Sequence, residues 1–320
     1  MSIKLSIYFI FLSALLSAGA ARAYPDKPVR FIVPFAPGGG NDIIARVLGA
    51  KLTAAWGQQV VVDNRPGAAG NLAAETTARA APDGHTVYQF NVANTIAPSL
   101  YRKITYDPVA DFAAVTQLAA SPFILVAHPS VRAANVKEFI ALAKAERGKF
   151  NYASSGNGGV SHLLTEVFKT MAGIEMAHIP YSGAGPALID LLGGQVQMMF
   201  AVPSTVLPHI KSGKLRALGI SSARRSPLVP EVPTVAESGV AGYEGGTWYG
   251  VVVPARTPPA IVTQLNRDIV RALRAPDVQE RLTTQGVELV GSTPAEFAQF
   301  IRSEIPKWAK AVRVSGARVD

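Results

Sequence analysis

The chain has 320 residues, 48% hydrophobic and 17% charged, with 28 glycines, 23 prolines and no cysteine. This is too apolar for a disordered chain, too varied for a coiled coil or collagen, and long enough for two domains or one large one. The missing cysteine excludes a disulfide scaffold, a thiol nucleophile, a Cys-ligated zinc and an N-terminal lipid anchor; the net charge of +9 comes without the Lys/Arg runs or aromatic–basic interleaving of a nucleic-acid binder.

At the N-terminus, Lys4 precedes the apolar run Leu5–Leu16, and small residues follow up to Ala21-Arg22-Ala23. This order predicts a secretory signal peptide over residues 1–23, cleaved after Ala23 or alternatively after Ala20. The apolar run falls well short of the roughly 20 residues that span a bilayer. The expectation is an exported, soluble protein of a Gram-negative periplasm, free of nucleic acid. Losing Lys4 and Arg22 with the leader takes the net charge from +9 to +7, mild support for an anionic ligand.

Beyond the leader one unit recurs: a short apolar strand, a glycine-rich loop, an amphipathic helix. Val29–Phe35 is a strand, Ala36-Pro37-Gly38-Gly39-Gly40 its loop, and a helix follows from Asn41 or Asp42 to Trp56, with Ile43, Ile44, Val47, Leu48 and Leu52 as its stripe and Gly57 as its stop. The second unit is Gln59–Val62, a loop through Gly70 and a helix over Leu72–Ala80. A strand at Thr86–Phe90 leads to a polar loop, Asn91–Thr95, and a short turn reaching Tyr101. Phe123–His128 reads as a buried strand, with a helix at Val136–Glu146.

The third unit joins Phe150–Ala153 to Ser154-Ser155-Gly156-Asn157-Gly158-Gly159 and a helix over Ser161–Met171. The fourth joins His178–Pro180 to Tyr181-Ser182-Gly183-Ala184-Gly185 and a helix opened by Pro186. Strands follow at Val196–Phe200 and Leu215–Ser221, then a long loop over Ser226–Gly246 and a strand at Thr247–Val253. Helix Pro259–Leu273 repeats Ile261, Leu265, Ile269 and Leu273, and Thr293-Pro294-Ala295-Glu296 is a capping box for a last helix kinked at Pro306. The alternation predicts an α/β class with mainly parallel sheets, whose ligands sit beyond the carboxyl ends of the strands.

That is where the glycines gather. Helix starts carry unpaired N–H groups and partial positive charge, and glycine lets a ligand approach the backbone. The loops Ala36–Gly40, Ser154–Gly159 and Ser182–Gly185 are therefore candidate anion cradles, or else tight turns. Gly156–Ser161 misses the dinucleotide fingerprint at its last position and no P-loop exists, so the cradles suit a small carboxylate and no cofactor is expected. Micromolar affinity needs only about −8 kcal/mol, within reach of a few charge-assisted hydrogen bonds of about 1.5–3 kcal/mol each.

Signs of catalysis are weak. Neither HExxH nor GxSxG occurs; His162 and Glu166 stand at i, i+4 without a visible third metal ligand. Ser154, Ser155 and Ser161 flank a glycine loop without an identifiable base. Asp42 reads as a cap, and Trp248 and Tyr249 as core residues or ligand flanks. No catalytic residue and no metal site is expected.

Long stretches in fixed order now carry a resemblance: IVPFAPGGGND (Ile32–Asp42), VVVDNRPGAAGN (Val60–Asn71), AAPDGHT (Ala80–Thr86), NYASSGNGGVSHLLTEVFK (Asn151–Lys169), IPYSGAGPALIDLLGGQVQMMF (Ile179–Phe200) and TWYGVVVPARTP (Thr247–Pro258). Over nearly all the mature chain the sequence resembles the substrate-binding receptors of tripartite tricarboxylate transporters, the Bug proteins. The resemblance implies a two-domain clamshell of the periplasmic-binding-protein kind, type II-like, each domain a mainly parallel sheet flanked by helices. Residues 24–121 with 249–320 would form domain 1, and residues 122–248 domain 2.

It further implies a monomer that closes on a dicarboxylate, tricarboxylate, acidic amino acid or aromatic acid and delivers it to membrane permease subunits. The implied ligand-binding residues are Phe35, Ala36, Gly38, Gly39 and Asp42 of the first loop, and Asn91, Asn94 and Thr95 after the third strand. In domain 2 they are Ser154, Ser155, Gly156, Tyr181, Gly183, Gly185 and Ala201. Two positions depart from the pattern: Ala201 and Ser182 stand where many relatives have Asp and Lys. A receptor that reports to a membrane signalling protein, or a periplasmic hydrolase or lyase, are the alternatives.

Overall fold

Strand β1 (Val29–Val33) is buried along almost its whole length because parallel partners flank it, β2 (Val60–Asn64) on one side and β3 (Thr86–Asn91) on the other. The computed structural model describes residues 24–319 apart from Ala36, Gly39, Ser182 and Gln285. The predicted leader and its cleavage site lie outside the described residues. After β1 comes α1 (Gly40–Trp56), which buries Ile44, Val47, Leu48 and Leu52 against the sheet. A 3-10 turn at Ala68–Gly70 leads into α2 (Asn71–Ala78).

Asn91–Thr95, expected as a loop, instead opens helix α3 (Val92–Leu100). Asn91 and Asn94 cap that helix reciprocally, so the polar residues that suggest a loop are the helix start itself. The long strand β4 (Phe112–Pro122) has no counterpart among the elements expected from sequence. It carries the chain into a second sheet built from β5 (Ile124–Ala127), β6 (Asn151–Ser154), β7 (Ala177–Pro180), β8 (Met198–Ala201) and β9 (Arg216–Ile220), in the order β7-β6-β8-β5-β9. Its helices are α4 (Val136–Ala145), α5 (Val160–Ala172), α6 (Ala184–Leu192) and α7 (Pro203–Lys211).

The chain returns on β10 (Gly246–Pro254) and finishes with α8 (Pro259–Leu273), α9 (Pro276–Thr283), β11 (Glu288–Leu289) and α10 (Pro294–Ser315). The predicted capping box opens α10, which runs through Pro306. The first sheet has the order β11-β4-β10-β3-β1-β2. β1 to β4 point one way, while β10 and β11 run against them; in the second sheet only β5 opposes the rest. β10 runs against its neighbours because it brings the chain back beside β4, which carried it out.

Two α/β lobes result, joined where β4 and β10 leave the first sheet. Ser221 ties that junction together. Its N–H donates to Phe123 O (2.8 Å), its hydroxyl donates to Gly245 O (2.5 Å), and its Oγ accepts from Phe123 N–H (2.8 Å). Behind the junction one apolar core is continuous across both lobes, from Phe90 and Trp248 through Leu164 and Phe168 to Phe200. Each such side chain removed from water contributes about 1.5–3 kcal/mol. Gly250 on β10 has no room for a side chain, because the Phe297 ring of α10 lies where a Cβ would stand, 2.1 Å from its Cζ.

Candidate functional site

The carboxyl ends of β1 and β3 face those of β6 and β8 across a cleft of about 480 Å³. The starts of five helices border it: Asn41 of α1, Val92 and Ala93 of α3, Val160 and Ser161 of α5, Ala184 of α6, and Val202 capping α7. Such starts present N–H groups without intrahelical acceptors and carry partial positive charge. None of the described residues lining the cleft bears a formal charge.

On the first lobe the loop after β1 is held by Asp42. Its carboxylate accepts from Gly38 N–H (3.0 Å), Arg46 Nε (2.9 Å) and Asn64 Nδ2 (3.0 Å), and Asn64 Nδ2 also reaches Phe35 O (2.9 Å). Burial acts to raise the Asp42 carboxyl, but the Arg46, Gly38 and Asn64 hydrogen bonds outweigh it and hold the group below the ordinary range. Asp42 thus shapes the loop from behind. The 3-10 turn places Ala68 and Ala69 at φ of 46° and 52°, a region that non-glycine residues enter at a cost, and Ala69 lines the cleft.

Asn91 ends β3 and caps α3, its Oδ1 accepting from Ala93 N–H (2.9 Å). Its Nδ2 is buried beside the cleft without a partner, as is the Oδ1 of Asn41. These two amide atoms are buried there without a protein hydrogen-bond partner. Asn94, behind them, is fully buried: it accepts from Asn91 N–H (3.0 Å) and Tyr88 Oη (3.2 Å) and donates to Tyr106 Oη (3.2 Å). Thr95 is fully buried and its hydroxyl donates to Val92 O.

The loop of the second lobe is largely self-satisfied. Ser155 N–H donates to Ser161 Oγ (3.1 Å), Gly156 N–H to Ser154 Oγ (3.3 Å), Gly158 N–H to His162 Nδ1 (3.0 Å) and Gly159 N–H to Gly156 O (3.2 Å). The cradle read from its glycines therefore reduces to the first turn of α5, because most loop amides are spent on holding the loop. Below it, the His162 and His178 rings stack 4.0 Å apart at 6°, and Tyr152 continues the stack 4.8 Å from His178. Tyr152 Oη donates to Glu166, which also pairs with Lys169 (2.7 Å). Ser154 Oγ is 2.6 Å from His178 Nε2, a serine–histidine contact, but Ser154 is fully buried and does not line the cleft.

Burial lowers both histidines, and the neighbouring His162 helps bring His178 down to about 4. Both are neutral at pH 7. A histidine whose folded value lies below its ordinary 6.5 is protonated more readily in the unfolded chain. Its contribution is complete above about pH 6.5 and drains away as the pH falls towards about 4. Thermal melts are expected to show Tm falling across that window, with the carboxylates of depressed value adding to the fall only below about pH 5. His178→Gln should flatten the fall; an equal slope in wild type and variant would refute the assignment.

Of the residues expected at the site, Phe35, Asn91, Ser155, Gly156 and Ala201 line the cleft. Gly38 lines an adjoining cavity of about 340 Å³ that shares Ala184, Val202 and Tyr249 with it. Asp42, Asn94, Thr95 and Ser154 stand behind the wall. Gly183 caps α6 and Gly185 is its second residue; Ala184 between them faces both cavities. Tyr181 donates to Asp190 (2.7 Å); burial, then Asp190, push its phenol up to about 12. Ala36 and Gly39 lie outside the described residues. Ile96, Leu100, Tyr101 and Met199, which sequence reasoning missed, also line the cleft.

The lobes touch on both flanks. A Cβ built on Gly158 would stand 2.5 Å from Leu100 Cδ2, and one on Gly286 would stand 2.5 Å from Pro203 Cβ. Gly158 also sits at φ +72°, which disfavours any side chain. Gly158→Ala is expected to prop the lobes apart and weaken ligand binding about tenfold, since 1.4 kcal/mol corresponds to tenfold. Titration calorimetry checks this; unchanged affinity would show that the Leu100 contact plays no part in closure.

Known proteins share this architecture. A profile of the tripartite tricarboxylate transporter family receptors matches residues 44–316. The chain belongs to that family. It is 39% identical over 313 residues to Protein BugT of Bordetella pertussis, covering 97% of this chain and 96% of that one. A solved R. palustris protein with adipate superposes at a TM-score of 0.84 with 34% identity, covering 92% of this chain and 99% of the other. MatC of Rhodopseudomonas palustris with bound malate gives 0.80 and 35%, covering 90% and 100%. The two-lobed α/β architecture is that of these periplasmic binding proteins.

Proposed function

We propose that this protein is an extracytoplasmic receptor that captures a small carboxylated metabolite between its lobes and hands it to a tripartite tricarboxylate-type permease. The observation that carries this reading is a cleft of about 480 Å³ bordered by five helix starts, with no formal charge among its described lining residues and the Asn91 amide unpartnered beside it. Helix starts and neutral amides suit a carboxylate that must be gripped and later released. Relatives solved with adipate and malate support the ligand class.

In this reading residues 24–121 and 249–320 move as one lobe and 122–248 as the other, hinged near Ser221. Phe35, Asn91, Ser155, Gly156 and Ala201 meet the ligand, while Asp42, Asn94, Thr95 and Ser154 hold the walls in place. The chain acts in the periplasm after removal of residues 1–23, as a monomer, and changes no bond in its ligand. No helix among the described residues is long and apolar enough to cross a membrane, in keeping with a separate permease.

The test is gentle denaturation of purified protein with mass spectrometry of what it releases, backed by a thermal-shift panel of carboxylic acids. An intact carboxylic acid that raises Tm on re-addition is expected. Release of no acid, with no acid in the panel raising Tm, would overturn the reading. Deleting the gene should abolish uptake of that acid; undiminished uptake would favour a signalling receptor instead.

A further inference from the structure

The longest continuous stretch of the cleft's described wall is Ser155 to Ser161, on the second lobe. Two histidines behind it hold its loop in place. Gly158 N–H donates to His162 Nδ1 (3.0 Å). Ser154 Oγ, which accepts from Gly156 N–H (3.3 Å), lies 2.6 Å from His178 Nε2. Neither histidine lines the cleft, and His162 is only 5% exposed.

The Gly158 bond fixes the state of the His162 ring. An imidazole nitrogen accepts a hydrogen bond only while it carries no proton, so His162 is held neutral with its proton on Nε2. A second proton would put an N–H on Nδ1, and two donors would then face each other across 3.0 Å. Burial disfavours a charge on either ring; Glu166 of α5 favours one, and Lys169 of α5 opposes it. β7 contributes His178 itself, stacked 4.0 Å away, and β6 contributes Tyr152 and Ser154, both uncharged. A charge on one ring therefore opposes a charge on the other.

Gly158 stands between this ring and the first lobe, with Leu100 Cδ2 2.5 Å from where its Cβ would be. Whatever moves Gly158 moves the cleft wall and the contact between the lobes together. We infer that His162 is a positioning residue for ligand capture: its neutral Nδ1 holds the Gly158 loop in the closed geometry, and a proton there loosens the loop and weakens binding in acid. The inference rests on the receptor reading above and adds to it a pH dependence that belongs to the protein and not to the bound acid. By linkage, a ligand that requires the neutral ring also makes that ring harder to protonate.

His162→Asn separates this role from packing. Its Oδ1 is bonded to Cγ as Nδ1 is, so the acceptor is kept while the titration is removed. Calorimetry of the full mature chain uses malate as the probe, from about pH 7 to about pH 4. The quantity read is the ratio of wild-type to His162→Asn affinity, in which protonation of malate itself cancels. The variant is expected within about threefold of wild type at pH 7, and the ratio should fall roughly tenfold by pH 4. A flat ratio would overturn the inference; so would a folded variant that binds far more weakly at pH 7, which would assign the loop to ring packing. Should malate not bind or the variant not fold, NMR of the wild type decides. The Gly158 amide resonance is expected to move with the titration of the His162 ring. An amide that ignores the ring, or a ring that takes up no proton before the chain unfolds, would refute the positioning role. The receptor reading is decided separately, by the acid released for mass spectrometry.

Discussion

Asn91→Asp is expected to abolish most carboxylate binding while leaving the fold intact. Asn91 has two jobs on two atoms. Its Oδ1 caps α3 by accepting from Ala93 N–H (2.9 Å), and aspartate keeps that acceptor. Its Nδ2 is the buried donor beside the cleft, and aspartate replaces it with a carboxylate oxygen. A charge-assisted hydrogen bond of about 1.5–3 kcal/mol is lost. Like-charge repulsion adds to the loss, with no cation among the described lining residues to relieve it. Together these effects should lower affinity by roughly two to three orders of magnitude, at about 1.4 kcal/mol for each. Calorimetry with the released ligand measures the loss, and Tm reports on the fold. Affinity within threefold of wild type at an unchanged Tm would remove Asn91 from the site.

Glu304→Ala should cost roughly 2–5 kcal/mol of stability, set by the buried hydrogen bonds it breaks rather than by its half-exposed Lys307 partner. Glu304 on α10 is 4% exposed. One of its carboxylate oxygens accepts from both Trp248 Nε1 (2.9 Å) and Trp308 Nε1 (2.8 Å), and the other from Lys307 Nζ (2.9 Å). Truncation leaves two buried indole N–H groups without acceptors, each costing about 1–3 kcal/mol, and a void between β10 and α10. Glu304→Gln retains an acceptor oxygen and should lose less than half as much. Chemical denaturation followed by tryptophan fluorescence compares the two. Equal losses in both variants would mean that the charge, and not the indole hydrogen bonds, is what matters.

Strong local patterns carry much of the fold. The stripe of Ile44, Val47, Leu48 and Leu52 and the Thr293–Glu296 capping box each describe a helix whose period or cap is contained within a few neighbouring residues. Helices α7 and α9 and strand β4 escape that reading: Pro203–Lys211 buries only Pro203 and Val206, and β4 becomes a strand by pairing with β10, more than a hundred residues away. Asn91–Thr95 reads as a loop because its polar residues suit both a loop and a helix start, and the reciprocal Asn91–Asn94 cap exists only once the chain turns there.

The site divides along the same line. From sequence the first loop and the Ser154–Gly159 loop are placed at the carboxyl ends of strands, because glycines and small polar residues between a strand and a helix mark the ligand end of an α/β sheet, whereas Asn91 enters only through the family resemblance. The alternation of strands and helices and the absence of cysteine chemistry are likewise determined by sequence alone, since both are properties of adjacent residues and composition. Tertiary structure alone decided which amides remain available, turning Asn94 and Ser154 inward and leaving Asn91 Nδ2 unpartnered. It alone set Leu100 of one lobe against Gly158 of the other. Hydrogen-bond satisfaction and lobe contact depend on residues distant in the chain, and no local pattern encodes which partner each group will meet.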